Sequence, residues 1–134
     1  MASQKEIENG IKVFEMLTEL GDFDTEQKTD DIFLVTEPDT GLEVIIDVEE
    51  TTIIFLMDIC PAERVSQEFG ELLLKLNADE AVHGGFGWDT SKGKIIFKDV
   101  LEIANLDSNE LQASIVSMVL TVSQNIKKIS EIGG

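Results

Sequence analysis

Apolar residues recur at helical spacing in three parts of the chain. In the first part, a capping-box pattern of Ser3 and Glu6 precedes the repeat and Gly21 follows it, so a helix is expected between them. Two further helices are expected, from Pro61 to about Leu76 and from Asp107 onward. The apolar repeat of the first helix comprises Ile7, Ile11, Phe14, Leu17 and Leu20, and the inner face of the second comprises Val65, Phe69, Leu72, Leu73 and Leu76.

The third helix has an unusually wide apolar face. Asp107 and Glu110 repeat the capping-box pattern at its start. Val116 and Leu120 lie beside the main apolar stripe and widen it beyond what a single interface requires. The main stripe comprises Leu111, Ile115, Met118, Val119, Val122, Ile126 and Ile129.

Between the helices, alternation of apolar and polar residues predicts strands. The acidic stretch 22–31, DFDTEQKTDD, is expected to be an exposed connection. The short connections favour antiparallel neighbours, and the order α-β-β-β-α-β-β-α indicates an α+β fold with a mainly antiparallel, five-stranded sheet in a single domain, 1–134. The five predicted strands are 31–36, 42–49, 51–59, 81–88 and 94–101.

The predicted sheet is apolar on more than one side. Ile45, Ile54 and Leu56 lie on the side opposite the alternate residues that are expected to form the core. Those core residues are Leu42, Val44, Ile46 and Val48 of the second strand and Ile53, Phe55, Met57 and Ile59 of the third. Either helices cover both faces of the sheet, or part of this surface is a homodimer seam or a groove for a segment of a partner.

Charge and composition narrow the possible functions. The net charge is −17, and residues 1–50 carry 15 acidic residues against 3 lysines, a net charge of −12. Such a surface repels phosphate backbones and anionic lipids, so neither nucleic acid nor membrane is an expected partner. No apolar run approaches the ~20 residues of a membrane span. The charged N-terminus and the single cysteine, Cys60, favour a cytoplasmic protein.

The segment 83–97, HGGFGWDTSKGKIIF, invites a phosphate-binding interpretation because it contains Gly-Lys. Five residues separate Gly87 from Gly93 where the motif needs four, Lys94 is followed by Ile95 rather than Ser or Thr, and a strand pattern follows instead of a helix. The segment is therefore expected to be a β-hairpin.

Other candidate chemistry is weak. His83 has no second histidine for a metal site, and Cys60 is expected to be a buried, inert thiol. The acidic run 22–31 lacks the glycine and glutamate that a calcium loop needs at its sixth and twelfth positions. We expect no catalytic residue, metal or other cofactor. A carboxylate-dependent enzyme stays open as an alternative, without named residues.

The block 71–111 resembles the class I type III secretion chaperones and the related YbjN-like domains. The resembling features are a leucine-rich helix that ends near Asn77, a glycine-bearing strand at 84–87, and an aliphatic strand at 95–97. A turn from Asp89 to Gly93 lies between the two strands, and a helix start at 106–107 follows them.

The resemblance implies a homodimer with a twisted antiparallel sheet, formed through helix 2 and adjoining strands. It also implies a non-enzymatic role in which apolar patches on the sheet and helix 1 hold an extended segment of a client protein. A YbjN-like regulatory module with no secretion role is the alternative. The residues expected at the partner-binding or dimer interface are Phe69, Leu73, Leu76, Phe86, Trp88, Ile45, Ile54 and Leu56.

Overall fold

A computed structural model describes residues 1–133 and contains three α-helices and six strands. None of these helices, within residues 1–133, is long and apolar enough to cross a membrane. The elements are α1 (Gln4–Leu20), β1 (Asp24–Gln27), β2 (Ile32–Thr36), β3 (Glu43–Val48), β4 (Thr52–Pro61), a 3-10 turn (Ala62–Arg64), α2 (Gln67–Asp79), β5 (Gly85–Asp89), β6 (Lys94–Glu102) and α3 (Ser108–Gly133).

The strands form one antiparallel sheet in the order β1-β2-β3-β4-β6-β5. The α+β class and the antiparallel pairing are confirmed, but the sheet has six strands where five were predicted. The additional strand, β1, lies in the stretch expected to be a connection. It is polar because it is an edge strand, exposed at three of its four positions, so no alternation marks it in the sequence.

All three helices pack on one face of the sheet. Val13 and Leu17 of α1, Phe69 of α2 and Ile115 of α3 belong to the same buried cluster as Phe55 of β4. The expectation that alternate residues of β3 and β4 form the core is confirmed, because Val44, Ile46, Val48, Ile53, Phe55 and Met57 are at most 3% exposed.

Capping residues fix the helix ends where the sequence predicts them. Ser3 and Glu6 form a reciprocal capping box at the start of α1. Asp107 and Glu110 do the same at α3, with the Glu110 amide donating to Asp107 Oδ1 at 2.8 Å. Each box satisfies amide donors that the first helical turn leaves without partners.

The prediction that Pro61 begins helix 2 is wrong. Pro61 ends β4, where it pairs with Lys94, and α2 begins six residues later behind the cap Ser66. Proline is tolerated at this strand end because its missing N–H is not needed there. The register of β4 against β6 also shifts between Asp58 and Cys60, which is a β-bulge.

Candidate partner-binding surfaces

The face of the sheet opposite the helices carries an apolar stripe, which we call the open face. The strand register aligns Leu34 of β2, Ile45 of β3 and Leu56 of β4 in one row across three adjacent strands. In the next row Ile54 pairs with Val100, which is 45% exposed. None of these five residues belongs to the core cluster or packs against it. The open face therefore consists of apolar side chains that no helix covers.

A trough of about 680 Å³ extends from the open face towards β5 and its turn. Ile96 lines it, 8% exposed, although it does not belong to the core cluster. Charged residues border the stripe: Lys98 lies across from Leu56, and Asp47 across from Ile54. The trough is also lined by Asp89 and Asp99, so its charged border is mainly acidic while the stripe itself is apolar, which suits an apolar polypeptide better than an ion.

Helix α1 presents part of its apolar repeat to solvent. Ile11 is 57% exposed and Phe14 is 39% exposed, although both belong to the repeat that predicts the helix. The buried residues of α1 include Asn9 and Gly10 instead. Phe14 stacks on the buried Phe33 of β2, with ring centroids 5.9 Å apart. One side of the Phe14 ring therefore contacts the core and the other side is exposed to solvent.

Two contacts at the start of α1 fix this orientation. A Cβ added at Gly10 would lie 2.2 Å from the carbonyl oxygen of Asp30, so only glycine allows α1 to approach the β1–β2 turn so closely. Asn9 Nδ2 donates to the carbonyls of Glu49 and Glu50 at 3.0 and 2.9 Å. Because these two residues face inward, Ile11 faces outward, whereas Phe14, one turn after Gly10, lies at the border of the buried face.

The outer edge of β5 is closed by a side chain of α2. Asn77 Nδ2 donates to the Phe86 carbonyl at 3.2 Å, and the Phe86 amide donates to Asn77 Oδ1 at 2.7 Å. Beside this contact, Leu74 is 70% exposed and Trp88 is 58% exposed. The chain reverses direction between α2 and β5. Measured from the contact between Asn77 and Phe86, Leu74 lies three residues back along the helix, ~4.5 Å, and Trp88 lies two residues further along the strand, ~6.6 Å. Leu74 and Trp88 therefore lie at a similar level along this edge, which we call the α2–β5 edge.

The residues expected at an interface divide into two groups. Ile45, Ile54 and Leu56 lie on the open face, and Trp88 lies on the α2–β5 edge and also lines the trough. The other four are placed in the core of the chain itself, at 9% exposure or less, so they stabilise α2 and β5, and of these Phe86 also lines the trough. These four are Phe69, Leu73, Leu76 and Phe86.

Sequence reasoning did not single out Leu34, Val100, Ile11, Phe14 or Leu74 as surface residues. The period-two alternation that identifies Ile45 also applies to Leu34, which stands between the buried Phe33 and Val35. Alternation could have found Leu34 and Val100. The two α1 residues could not be found this way, because their exposure depends on contacts with residues distant in sequence.

The glycine-rich segment forms the predicted hairpin. Strands β5 and β6 pair antiparallel, and Gly93 in their turn has φ +64°, a left-handed conformation that favours glycine. Lys94, the lysine of the Gly-Lys pair, lies in β6 and forms an ion pair with Asp58 at 3.1 Å.

Cys60, expected to be a buried thiol, is only partly buried near the end of β4. Burial raises the pKa of the Cys60 thiol, against a smaller opposite effect of Arg64, and a protonated thiol is a poor nucleophile. In the part of the chain that the structure describes, no three His, Cys, Asp or Glu side chains are grouped to hold a metal ion.

Three solved structures share this fold at low sequence identity. An uncharacterized protein from Methanothermobacter thermautotrophicus has a TM-score of 0.67 at 16% identity, covering 94% of this chain and 99% of that one. A chain of the heterodimeric ExoU–SpcU complex from the type III secretion system of Pseudomonas aeruginosa has a TM-score of 0.62 at 12% identity, covering 88% and 94%. A chain of the Yersinia pestis complex of the type III secretion chaperone SycH with a stable fragment of YscM2 has a TM-score of 0.58 at 20% identity, covering 86% of this chain and 98% of that one.

The family assignment comes from the sequence. No curated protein matches this chain. The model of the CesT_Tir_1 family, the type III secretion chaperone family, matches residues 6–133, which is nearly the whole chain. The resemblance noted for residues 71–111 is thereby confirmed, and the chain belongs to the CesT_Tir_1 family of type III secretion chaperones.

Proposed function

We propose that this chain, as a single domain over residues 1–134, is a non-enzymatic, homodimeric chaperone-like protein that binds an apolar segment of a partner protein. The observation that carries the proposal is the open face, an apolar stripe across three strands that no helix covers. Family membership supports it, as do the two similar structures that are complexes with a second protein.

The open face suits an extended polypeptide. Neighbours within a row lie one strand spacing apart, ~4.8 Å, and the two rows lie two residues apart along the strands, ~6.6 Å. Fully covering a Leu or Ile side chain is worth about 1.5–3 kcal/mol, so covering even part of the stripe contributes to binding. A partner segment bound here would hide its own apolar residues from water at the same time. No bond is made or broken, so no reactive group is required.

For the second copy we propose the α2–β5 edge. Leu74 and Trp88 are both exposed at this edge, and tryptophan is among the residues that contribute most to interfaces. Each chain carries a net charge of −17, so two copies repel each other and the apolar contact must offset that repulsion. The dimer should therefore become tighter as added salt screens the charge.

A YbjN-like regulatory module would use the same surfaces and would differ only in its partner.

Purification of the tagged protein from its native host, followed by mass spectrometry, tests the partner site. The parent protein and a Leu56→Asp variant are compared, with Val82→Asp as the control, because Val82 is 80% exposed and lies outside the open face. The same partner should come down with the parent and with Val82→Asp, and should be lost with Leu56→Asp. Retention of that partner by Leu56→Asp contradicts the assignment of the open face.

Sedimentation equilibrium over a range of concentrations tests the homodimer. The parent should sediment as a dimer, and Trp88→Ala and Leu74→Asp should each shift it towards the monomer. A monomer at every concentration, in both low and high salt, contradicts the dimer proposal without affecting the partner site.

A further inference from the structure

A second apolar groove lies beside α3, on the helical side of the molecule. It has a volume of about 530 Å³ and is formed by α3, the α1–β1 connection and the β2–β3 turn. Four of its residues follow one another on α3 at helical spacing: Val116, Val119, Leu120 and Ser123. We call this surface the α3 groove.

The apolar part of the groove is accessible. Leu120 is 48% exposed and Val116 is 37% exposed, whereas Val119 beside them is buried. Phe23 and Pro38 contribute apolar surface from the opposite wall. Val116 and Leu120 are the residues that widen the apolar face of α3 beyond what packing against the sheet needs. In the structure these two residues line the groove.

The rim of the groove is acidic and held in place. Asp22 Oδ2 accepts a hydrogen bond from Gln112 Nε2 of α3 at 2.6 Å. Both carboxylate oxygens of Glu37 accept backbone amides, from Asp39 and Thr40, at 2.8 Å each.

These rim contacts also favour the ionised state of one carboxyl. The hydrogen bond from the Asp39 amide is the main cause that lowers the pKa of Glu37, so this carboxyl stays charged. The third rim carboxylate is Asp39 itself, and among the described residues that line the groove none is a lysine or arginine.

We propose that the α3 groove binds a short protein segment in which an apolar side chain is flanked by lysine or arginine. The apolar side chain would contact Val116 and Leu120, and the flanking cations would lie beside the rim carboxylates. Charge complementarity selects this occupant, because the acidic rim repels a second copy of a chain of net charge −17 and a neutral segment would gain no attraction from the rim charges. The inference rests on the proposed function for the kind of partner, a protein segment, and adds a separate site for it.

Fluorescence polarisation with a labelled peptide tests the site. The probe has a Leu-Phe-Leu centre flanked on both sides by lysines. Two comparison peptides replace the centre with serines or the lysines with glutamines. The full-length protein should bind the probe more tightly than either comparison peptide, and added salt should weaken that binding.

Matched variants locate the binding. Leu120→Ser should weaken probe binding about tenfold, because it removes apolar contact area. Ile126→Ser, on the same helix with 46% exposure but outside the groove, should bind like the parent. Asp39→Asn should weaken binding about threefold at low salt and reduce its salt dependence. Circular dichroism verifies that each variant is folded, and Val116→Ser replaces Leu120→Ser if the latter is not.

Three results would overturn the proposal. The serine-centred peptide could bind as tightly as the probe, which would mean only general attraction to an acidic protein. Leu120→Ser could bind like the parent. Leu120→Ser, but not Ile126→Ser, could dissociate a dimer, which would assign the groove to a second copy. Leu56→Asp should keep its probe binding, so failure of the open face and failure of the α3 groove are distinguishable.

Discussion

Replacing Gly10 with alanine tests how α1 is held against the sheet. Alanine in place of glycine within a helix ordinarily stabilises by about 0.5–1 kcal/mol. At Gly10 the new methyl group would lie 2.2 Å from the Asp30 carbonyl oxygen, and ordinary contact begins at 3.4 Å. Helix or turn must therefore move apart by about 1 Å, and the obstacle is backbone, which cannot rotate away as a side chain can.

Overpacking of this kind lowers the free energy of unfolding by about 1–3 kcal/mol. Because the obstacle is rigid backbone, we expect the cost of Gly10→Ala to lie at the upper end of that range. After the gain in helix propensity is subtracted, we expect the free energy of unfolding to fall by about 2 kcal/mol. Gly70→Ala is the matched control, because Gly70 also lies in a helix and a Cβ there would meet nothing within 4 Å. Gly70→Ala should stabilise by about 0.5–1 kcal/mol.

Urea denaturation of both variants, at one fixed protein concentration, measures the difference, since dimer formation would make stability depend on concentration. We expect the two variants to differ by about 3 kcal/mol with opposite signs. If Gly10→Ala were as stable as Gly70→Ala, α1 would not be held at the Asp30 carbonyl, and this contact would not explain why Ile11 faces outward.

Further predictions concern the core, the β5 edge and the open face. Phe55→Ala should lower the free energy of unfolding by about 3–5 kcal/mol, because the ring is fully buried, while Val100→Ala on the open face should change it by less than about 0.5 kcal/mol; chemical denaturation measures both. Asn77→Ala removes two hydrogen bonds to the Phe86 backbone and should destabilise by about 1–3 kcal/mol, with faster amide hydrogen exchange in β5. Burial chiefly, and then nearby negative charge, raises the pKa of Asp47 above its ordinary 3.8, so its contribution to stability is present at low pH and is lost as pH rises through the raised value. Asp47→Asn should therefore unfold at a higher temperature than the parent near pH 7, and a difference that did not shrink below about pH 4 would contradict this reasoning.

The fold was predictable where local physical chemistry decides the structure. Ser3 with Glu6 and Asp107 with Glu110 mark helix starts because each pair satisfies free amides within one turn. Alternation around Ile45 identifies both the core face and the open face, because side chains of a strand point to opposite sides in turn.

The remaining features depend on contacts between distant residues. Strand β1 is polar and is recognisable only by its pairing with β2. The orientation of α1 is set by Gly10 against Asp30, twenty positions away, which no helical periodicity records. The division of the eight interface candidates has the same origin: Phe69 and Trp88 are both large aromatic residues, and only the packing of α2 against the sheet makes one core and the other surface.

The hydrogen bonds of Asn77 have a consequence for solubility. The side-chain amide occupies both backbone groups of Phe86 that would otherwise template an additional strand. At the opposite margin, β1 is four residues long and carries Asp24 and Glu26, which discourage growth of the sheet in that direction. A protein that displays uncovered aliphatic residues on one side thus has both ends of its sheet protected against self-templated fibril growth.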